Sequence, residues 1–319
     1  MNHAMAVNSA NHSRYVWAQR GDINAFFGLM LDNVGGLILM ASLLVLGFHL
    51  PREFVLTRMI PGTAVGVLVG DLVYTAMAFR LARRTGRGDV TAMPLGLDTP
   101  STFGAVLFII GPSYQAALQR GLEPEHAAQH AWFIGITMLL GSGLFKLACA
   151  PVSGWIRRLV PRAGLLGSLA AIALVLISFL PLLDIADHPV PGLVALGLML
   201  ATLTARWQFP RQVPGALGAV VVGCGVYYTM QGLGWGERGA GEGVRPELAL
   251  RAVLPMPIEA WGNWFAQWWR EAVGSLPVAI PLALATVVGG IDCTESAAAA
   301  GDEYPTGPII ATEGFATVL

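Results

Sequence analysis

Carboxylates and one amide inside apolar stretches are the side chains of this chain with the most chemical potential. A charge near the centre of a bilayer costs about 2.5–3.5 kcal/mol on insertion scales, so acids kept there are candidates for binding a ligand or a coupling ion. No histidine lies deep in an apolar stretch, which leaves proton coupling to the carboxylates. The candidates are Asp32 with Asn33, Asp71, Asp98, and Asp292 with Glu295 three residues later, hence on one helical face.

Each candidate has a structural interpretation as well as a functional one. We interpret Asp71 as structural, either pairing with an arginine such as Arg80 or capping a neighbouring helix. Asp98 is open to interpretation as a helix cap or a ligand-binding group, and Glu295 as a ligand-binding group or a solvated gate. A functional role is favoured for Asp32, Asn33 and Asp292.

Composition places these acids in a membrane protein. Hydrophobic residues make up 55% of the 319 and charged residues 12%, well outside soluble usage. The formal charge of -1 gives no basic surplus, so nucleic acid is excluded as a partner. The three cysteines share no close spacing and no catalytic or metal motif is present, so the sequence indicates no enzyme, cofactor or metal site.

The segment 93–112 has the pattern of a broken membrane span. Pro94 and Pro100 each disfavour helix in the preceding residue, and Thr99 is an acceptable N-cap with proline at the first helical position. The apolar run that follows is expected to stop at Gly111-Pro112, after about a dozen residues, whereas a bilayer needs about 20. We therefore expect a half-helix whose N-terminal amides face a cavity suited to a polar or anionic ligand.

Eight apolar spans organise the chain. Eleven arginines fall on one side of the alternating spans and only three in the other short loops, which places the N-terminus in the cytoplasm. The glycines 62, 66 and 70 are interpreted as a packing face on the second span. The predicted spans are 24–48, 59–79, 92–112 (broken), 131–152, 163–183, 190–205, 213–233 and 275–298.

The domain organisation follows from these spans. We expect a cytoplasmic N-terminal tail (1–22), a first seven-span repeat (23–233), an extracytoplasmic connection (234–274) and the start of a second repeat (275–319). The run 309–319 begins a further apolar segment and stops short of a span, so the sequence is expected to be truncated. Within the connection, four tryptophans among polar residues favour an amphipathic interfacial helix over an aromatic substrate platform: Trp261, Trp264, Trp268 and Trp269.

The chain resembles the xanthine/uracil permease family, also called the nucleobase-ascorbate transporters. Three segments carry the resemblance: GDINAFFGLMLDNVGGLILMASLL as the first span, MPLGLDTPSTFGAVLFIIGP as the broken third span, and VVGGIDCTESAAAAGDEYPTGPIIATEGFATVL as the eighth span running into the ninth. The resemblance implies an all-α integral membrane fold of two inverted seven-span repeats, with half-helices meeting at the midplane. In this chain that fold would be truncated before the tenth span.

The resemblance also implies roles for particular residues. Asp292 matches the eighth-span acid that hydrogen-bonds the substrate base, and Asp32 or Asn33 matches a polar first-span position. The third-span helix start, whose backbone faces the ligand, matches Thr99, Pro100 and Ser101. An aspartate stands in the eighth span where many members have glutamate, which leaves the base preference and the coupling ion open.

The sequence thus predicts a permease for nucleobase-like heterocycles in the cell inner membrane, crossing it several times and driven by a proton or sodium gradient. Its expected partners are a purine or pyrimidine base, the coupling ion, the lipid bilayer and a second copy in a homodimer. The alternative is an inorganic anion transporter of the sulfate or bicarbonate type on the same architecture. That alternative calls for a cation in mid-span, and Lys146 is expected only near a span end. A non-transporting membrane scaffold would leave the buried acids without a purpose.

Overall fold

The computed structural model describes residues 15–97, 99–159, 174, 178–210, 213–235 and 258–318. All regular secondary structure in these ranges is helical. Four of the described helices are long and apolar enough to cross a membrane: Gly21–Gly47, Arg52–Thr85, Pro124–Trp155 and Leu276–Ala299. The prediction of an all-helical membrane protein is therefore confirmed at this level.

The helices are numbered here in chain order. They are α1 (Arg20–Ser42, continued by a π-helical turn Leu43–Gly47), α2 (Arg52–Thr85), α3 (Thr99–Ala105, Val106–Ile110 and Gly111–Gln119 in continuous succession), α4 (Pro124–Cys149), α5 (Ser153–Leu159), α6 (Leu180–Asp187), α7 (Pro189–Leu203), α8 (Gly215–Gly232), α9 (Ile258–Gly274), α10 (Leu276–Ala299) and α11 (Thr306–Val318). A short 3₁₀ turn, Ala150–Val152, joins α4 to α5.

Prolines inside α2 and α3 are each preceded by a π-helical turn. In α2 the turn Val55–Met59 comes before Pro61, and in α3 the turn Val106–Ile110 comes before Pro112. Proline lacks an N–H and its ring collides with the carbonyl four residues earlier, and a wider turn accommodates both effects. The predicted helix stop at Gly111-Pro112 is therefore wrong, because α3 continues through the proline to Gln119. Its three parts of 7, 5 and 9 residues make a helix of 21 residues, so the expected half-helix of about a dozen residues is wrong as well.

The fifth, sixth and seventh predicted spans are described to different extents. Most of the predicted span 163–183 lies outside the described residues. The predicted spans 190–205 and 213–233 correspond to α7 and α8, which pack against each other. α7 has 15 residues, fewer than the about 20 that a straight crossing needs.

α11 packs in a groove between α2 and α4 that is lined by glycine. A Cβ atom on Gly143 of α4 would lie 2.8 Å from the carbonyl oxygen of Gly314, and one on Gly314 would lie 3.0 Å from that of Gly143. On the other side, a Cβ on Gly66 would lie 3.0 Å from the carbonyl oxygen of Ala316. Glycine at these positions lets the backbones approach closely, as membrane helices often do. The predicted packing face of α2 is thus confirmed at Gly66.

The tryptophan-rich segment forms α9, which packs on α4 through one face. Trp264 is buried, donates its indole N–H to Nδ1 of His130 at 3.0 Å and stacks on Phe133. Two turns further along α9, Glu271 accepts two hydrogen bonds from Arg120, with distances of 2.7 and 3.2 Å. Trp269 is 45% exposed and points away from α4. The helix is therefore amphipathic, with its inner face fixed by aromatic and ionic contacts.

Candidate functional site

Residues 87–97, here called the strap, connect α2 to α3 without regular secondary structure. α3 begins at Thr99, within one residue of the start predicted from Pro100. A non-helical backbone at membrane depth must find hydrogen-bond partners for its N–H and C=O groups, because lipid offers none. The partners of the strap therefore show how the start of α3 is held in place.

Two polar side chains on neighbouring spans accept hydrogen bonds from the membrane end of the strap. Oδ1 of Asp71 in α2 accepts the N–H of Leu95 at 2.7 Å. Oδ1 of Asn33 in α1 accepts the N–H of Leu97 at 2.8 Å, while its Nδ2 donates to the carbonyl of Leu29 one turn earlier. The backbone N–H groups of Leu95 and Leu97 thus find their acceptors on two different helices, α2 and α1.

These contacts refine the interpretation of the first two spans. Asp71 is structural, as expected, but its hydrogen-bond partner is the strap and not Arg80 or a helix end. Asp32 is exposed on α1, whereas its neighbour Asn33 is half-buried against the strap. Of the two residues offered as the first-span polar position, Asn33 is the one that faces the interior.

The other end of the strap is attached to the loop between α10 and α11. Asp302 in that loop pairs with Arg87 at 3.0 Å and accepts the N–H of Thr91 at 2.9 Å. The hydroxyl of Tyr304 donates to the carbonyl of Thr91 at 2.7 Å, and burial raises the pKa of that phenol. The strap therefore joins the loop after α10 to the start of α3.

The four residues predicted at the half-helix start are only partly described. Asp98 lies outside the described residues, and the side chains of Thr99, Pro100 and Ser101 do as well. Their backbone from Thr99 onward forms the first turn of α3. The predicted roles of these four side chains therefore stay predictions.

Asp292 is the most deeply buried acid of α10. Its side chain is 2% exposed, and no donor in the described part of the chain hydrogen-bonds either carboxylate oxygen. Glu295 is half-buried one turn further on, on the same face as predicted. Burying a carboxylate without a hydrogen-bond donor costs free energy. A ligand N–H that donates to Asp292 would offset this cost, so Asp292 is a candidate for binding a ligand.

The packing of α3 on α10 sets the distance between Asp292 and the start of α3. A Cβ on Gly104 would lie 2.6 Å from Leu282, and Ile109 shares a hydrophobic cluster with Ala279. The two helices therefore run in opposite directions, so the first turn of α3 lies beside the middle of α10. With a rise of 1.5 Å per residue, Asp292 lies about 5–10 Å further along α10 than that turn.

Sequence reasoning missed two residues whose contact connects α2, α10 and α11. The hydroxyl of Tyr74 in α2 lies 3.2 Å from Oε1 of Glu313 in α11. A Cβ on Gly290 would lie 2.6 Å from Oε2 of the same glutamate, so this carboxylate rests on the backbone of α10 two residues before Asp292. The signal in the sequence was an acid within the apolar run 309–319, which had been considered only as the start of a further span.

Lys146 is a buried cation near the end of α4. It is 5% exposed and its Nζ donates to the hydroxyl of Thr317 in α11 at 3.4 Å. It lies in the last turn of α4, three residues before Cys149. The expectation that it sits near a span end is therefore confirmed, and the structure adds that the ammonium is buried.

Asp71 and Asn33 bind the strap, Tyr74 binds Glu313, and Asp292 is buried on α10. These five polar residues of the bundle are here called the polar layer. The layer can accept hydrogen bonds from a ligand through Asp292. No group of three or more His, Cys, Asp or Glu side chains able to hold a metal occurs in the ranges that the structure describes.

The fold and the polar layer define the class: an all-helical membrane protein with a non-helical segment leading into a helix next to buried carboxylates. Comparison with protein-family models, with curated proteins and with solved structures found no match.

Proposed function

We propose that the chain belongs to a secondary active transporter of nucleobase-like planar heterocycles, driven by a proton or sodium gradient. The observation that carries the proposal is the carboxylate of Asp292, buried and without a hydrogen-bond donor among the described residues. Purine and pyrimidine rings present N–H groups that such a carboxylate binds well.

The start of α3 supplies the complementary half of the proposed site. Its first N–H groups have no partner within the helix, and the helix dipole favours partial negative charge at that end. Ring carbonyls of the ligand would accept from these amides while ring N–H groups donate to Asp292. Movement of one group of helices against another around this site would give alternating access.

The arginine distribution supports a location in the inner membrane with the N-terminus in the cytoplasm. The strap contacts with the α10–α11 loop would then lie on the cytoplasmic side of the polar layer. Substrate released inward would leave past this loop.

The test is a thermal-shift screen on the full-length protein in detergent, with uracil, xanthine, guanine, adenine, sulfate and bicarbonate between pH 5 and 8. We expect one base to raise the melting temperature of the wild type and to have no effect on Asp292→Asn, which keeps the shape but removes the charge. Asp32→Asn is the matched control, because Asp32 is exposed on α1, and it should respond as wild type does. Equal stabilisation of wild type and Asp292→Asn by the base would overturn the assignment of Asp292.

A second candidate, an inorganic anion transporter, is favoured by one observation. Lys146 is a buried cation in the same bundle, and a buried ammonium is a natural partner for an anion. Stabilisation by sulfate or bicarbonate but by no base, lost in Lys146→Met, would establish this second function in place of the first.

A further inference from the structure

We propose that Asp71 and Asn33 are positioning residues, whose acceptor oxygens fix the membrane end of the strap and so the place of the α3 start. This inference rests on the proposed function, because it concerns the same binding site. It assigns Asn33 to holding the backbone instead of contacting the ligand. For Asp71, the proposal is that holding the strap requires an acceptor oxygen and does not require a negative charge.

The same small arrangement occurs twice. On α2, Asp71 binds the N–H of Leu95, and the preceding Gly70 leaves room for the side chain of that leucine, which a Cβ would meet at 2.2 Å. On α1, Asn33 binds the N–H of Leu97, and a Cβ on Gly36 would lie 3.4 Å from that leucine. In each case a helix offers one acceptor for the backbone N–H of a strap leucine. On α2 the leucine side chain also needs the glycine, whereas a Cβ on Gly36 would only be in ordinary contact with Leu97.

The orientation of Asn33 supports a positioning role. Its Nδ2 donates to the carbonyl of Leu29 at 2.9 Å, which turns its oxygen toward Leu97. Both ends of the amide are therefore engaged with backbone groups. A side chain held in this way stabilises the strap, and turning its oxygen toward a ligand would break the hydrogen bond to Leu97.

The two ends of the strap are held separately. Its first half is attached to Asp302 and Tyr304, through Arg87 and Thr91. Its second half depends on Asp71 and Asn33, and only one residue lies between Leu97 and the start of α3 at Thr99. Removing the acceptors should therefore release the end of the strap that sets the binding site and leave the other end attached.

The experiment compares Asp71→Ala with Asp71→Asn in the full-length protein in detergent. Hydrogen exchange of a peptide covering 93–97 reports on the strap, and the Kd of the base found in the thermal-shift screen reports on the site. We expect Asp71→Ala to speed exchange at least tenfold and to weaken binding at least tenfold. Asp71→Asn keeps an acceptor oxygen and should restore both to near wild-type values.

Further variants make the comparison specific. Asn33→Ala should act as Asp71→Ala does, while Asp32→Ala, a change of the exposed neighbour on the same helix, should alter neither measurement. An Asp71→Asn protein as impaired as Asp71→Ala would show that charge matters and would overturn the proposal. Unchanged exchange in Asp71→Ala would overturn it as well.

The outcomes separate this inference from the proposed function. Faster exchange in Asp71→Ala with unchanged base affinity would reject positioning of the site while leaving base transport standing. A wild-type protein that binds no base would reject the proposed function. Hydrogen exchange and its rescue by Asp71→Asn would then still decide whether the acceptor oxygen holds the strap.

Discussion

The hydroxyl of Tyr74 donates a hydrogen bond to Glu313 across 239 residues of sequence, with an oxygen–oxygen distance of 3.2 Å. The same carboxylate rests against Gly290 of α10, so one glutamate connects α2, α10 and α11. This contact therefore helps to hold α10, the helix that carries Asp292, against α2 and α11.

Replacing Tyr74 with phenylalanine should destabilise this part of the bundle. The change removes one hydroxyl from a fully buried ring and leaves an oxygen of Glu313 without that donor, a loss of about 1–3 kcal/mol. Thermal unfolding in detergent measures the effect. Tyr228→Phe makes the same chemical change on a ring that is largely exposed, and it should leave the melting temperature unchanged. Equal melting temperatures for Tyr74→Phe and wild type would show that this hydrogen bond contributes nothing.

Gly70→Ala should displace the strap, whereas Gly62→Ala on the same helix should not. The added methyl group at position 70 would lie 2.2 Å from a terminal carbon of Leu95, while nothing lies within 4 Å of the position it would take at Gly62. Overpacking of this kind costs about 1–3 kcal/mol. Melting temperatures of the two variants, with hydrogen exchange across 93–97, provide the comparison. A larger loss at Gly62 than at Gly70 would contradict the packing described here.

Asp302→Ala should loosen the first half of the strap. Asp302 is buried and accepts the N–H of Thr91, and a hydrogen bond to a charged acceptor is worth about 1.5–3 kcal/mol. Hydrogen exchange at Thr91 should therefore rise by about tenfold or more. Asp89→Ala is the matched control, since Asp89 pairs with the same Arg87 but is exposed. Equal rates of hydrogen exchange at Thr91 in Asp302→Ala and Asp89→Ala would show that Asp302 does not hold the first half of the strap.

The contact between α9 and α4 should depend on pH through Glu271. Burial of this carboxyl opposes its ionisation, but hydrogen bonding by Arg120 and His130 outweighs that effect and holds the pKa of Glu271 below its usual value. A lowered folded-state pKa adds stability that is present above the unfolded pKa of about 4.3 and is lost as the pH falls through the folded value.

The variant Glu271→Gln tests this dependence. Wild type should melt at a higher temperature than the variant at pH 7. The difference should shrink as the pH falls below about 4.3 and approach zero once the pH is below the lowered pKa of folded Glu271, where both side chains are neutral. A difference that stays constant from pH 7 to pH 3 would contradict the assignment.

The order of the helices was largely predictable because it depends on local composition. Long apolar runs must become helices in a membrane, since only a helix satisfies its own backbone there. The start of α3 at Thr99 was also predictable, because Pro100 fixes the backbone on both of its sides. The end of α3 was not, since a π-helical turn before Pro112 relieves a clash that the sequence pattern treats as a stop.

The sequence by itself determined that the chain is a helical membrane protein, that α3 is entered through a proline-broken segment, and that Asp292 is buried in an apolar helix. Only the tertiary structure decided what the other polar residues contact. Asp71 binds the strap, Asn33 faces inward where Asp32 does not, and Glu313 reaches Tyr74 and α10. The physical reason is that burial in a helix follows from nearby residues, whereas a hydrogen-bond partner depends on which distant helix packs alongside.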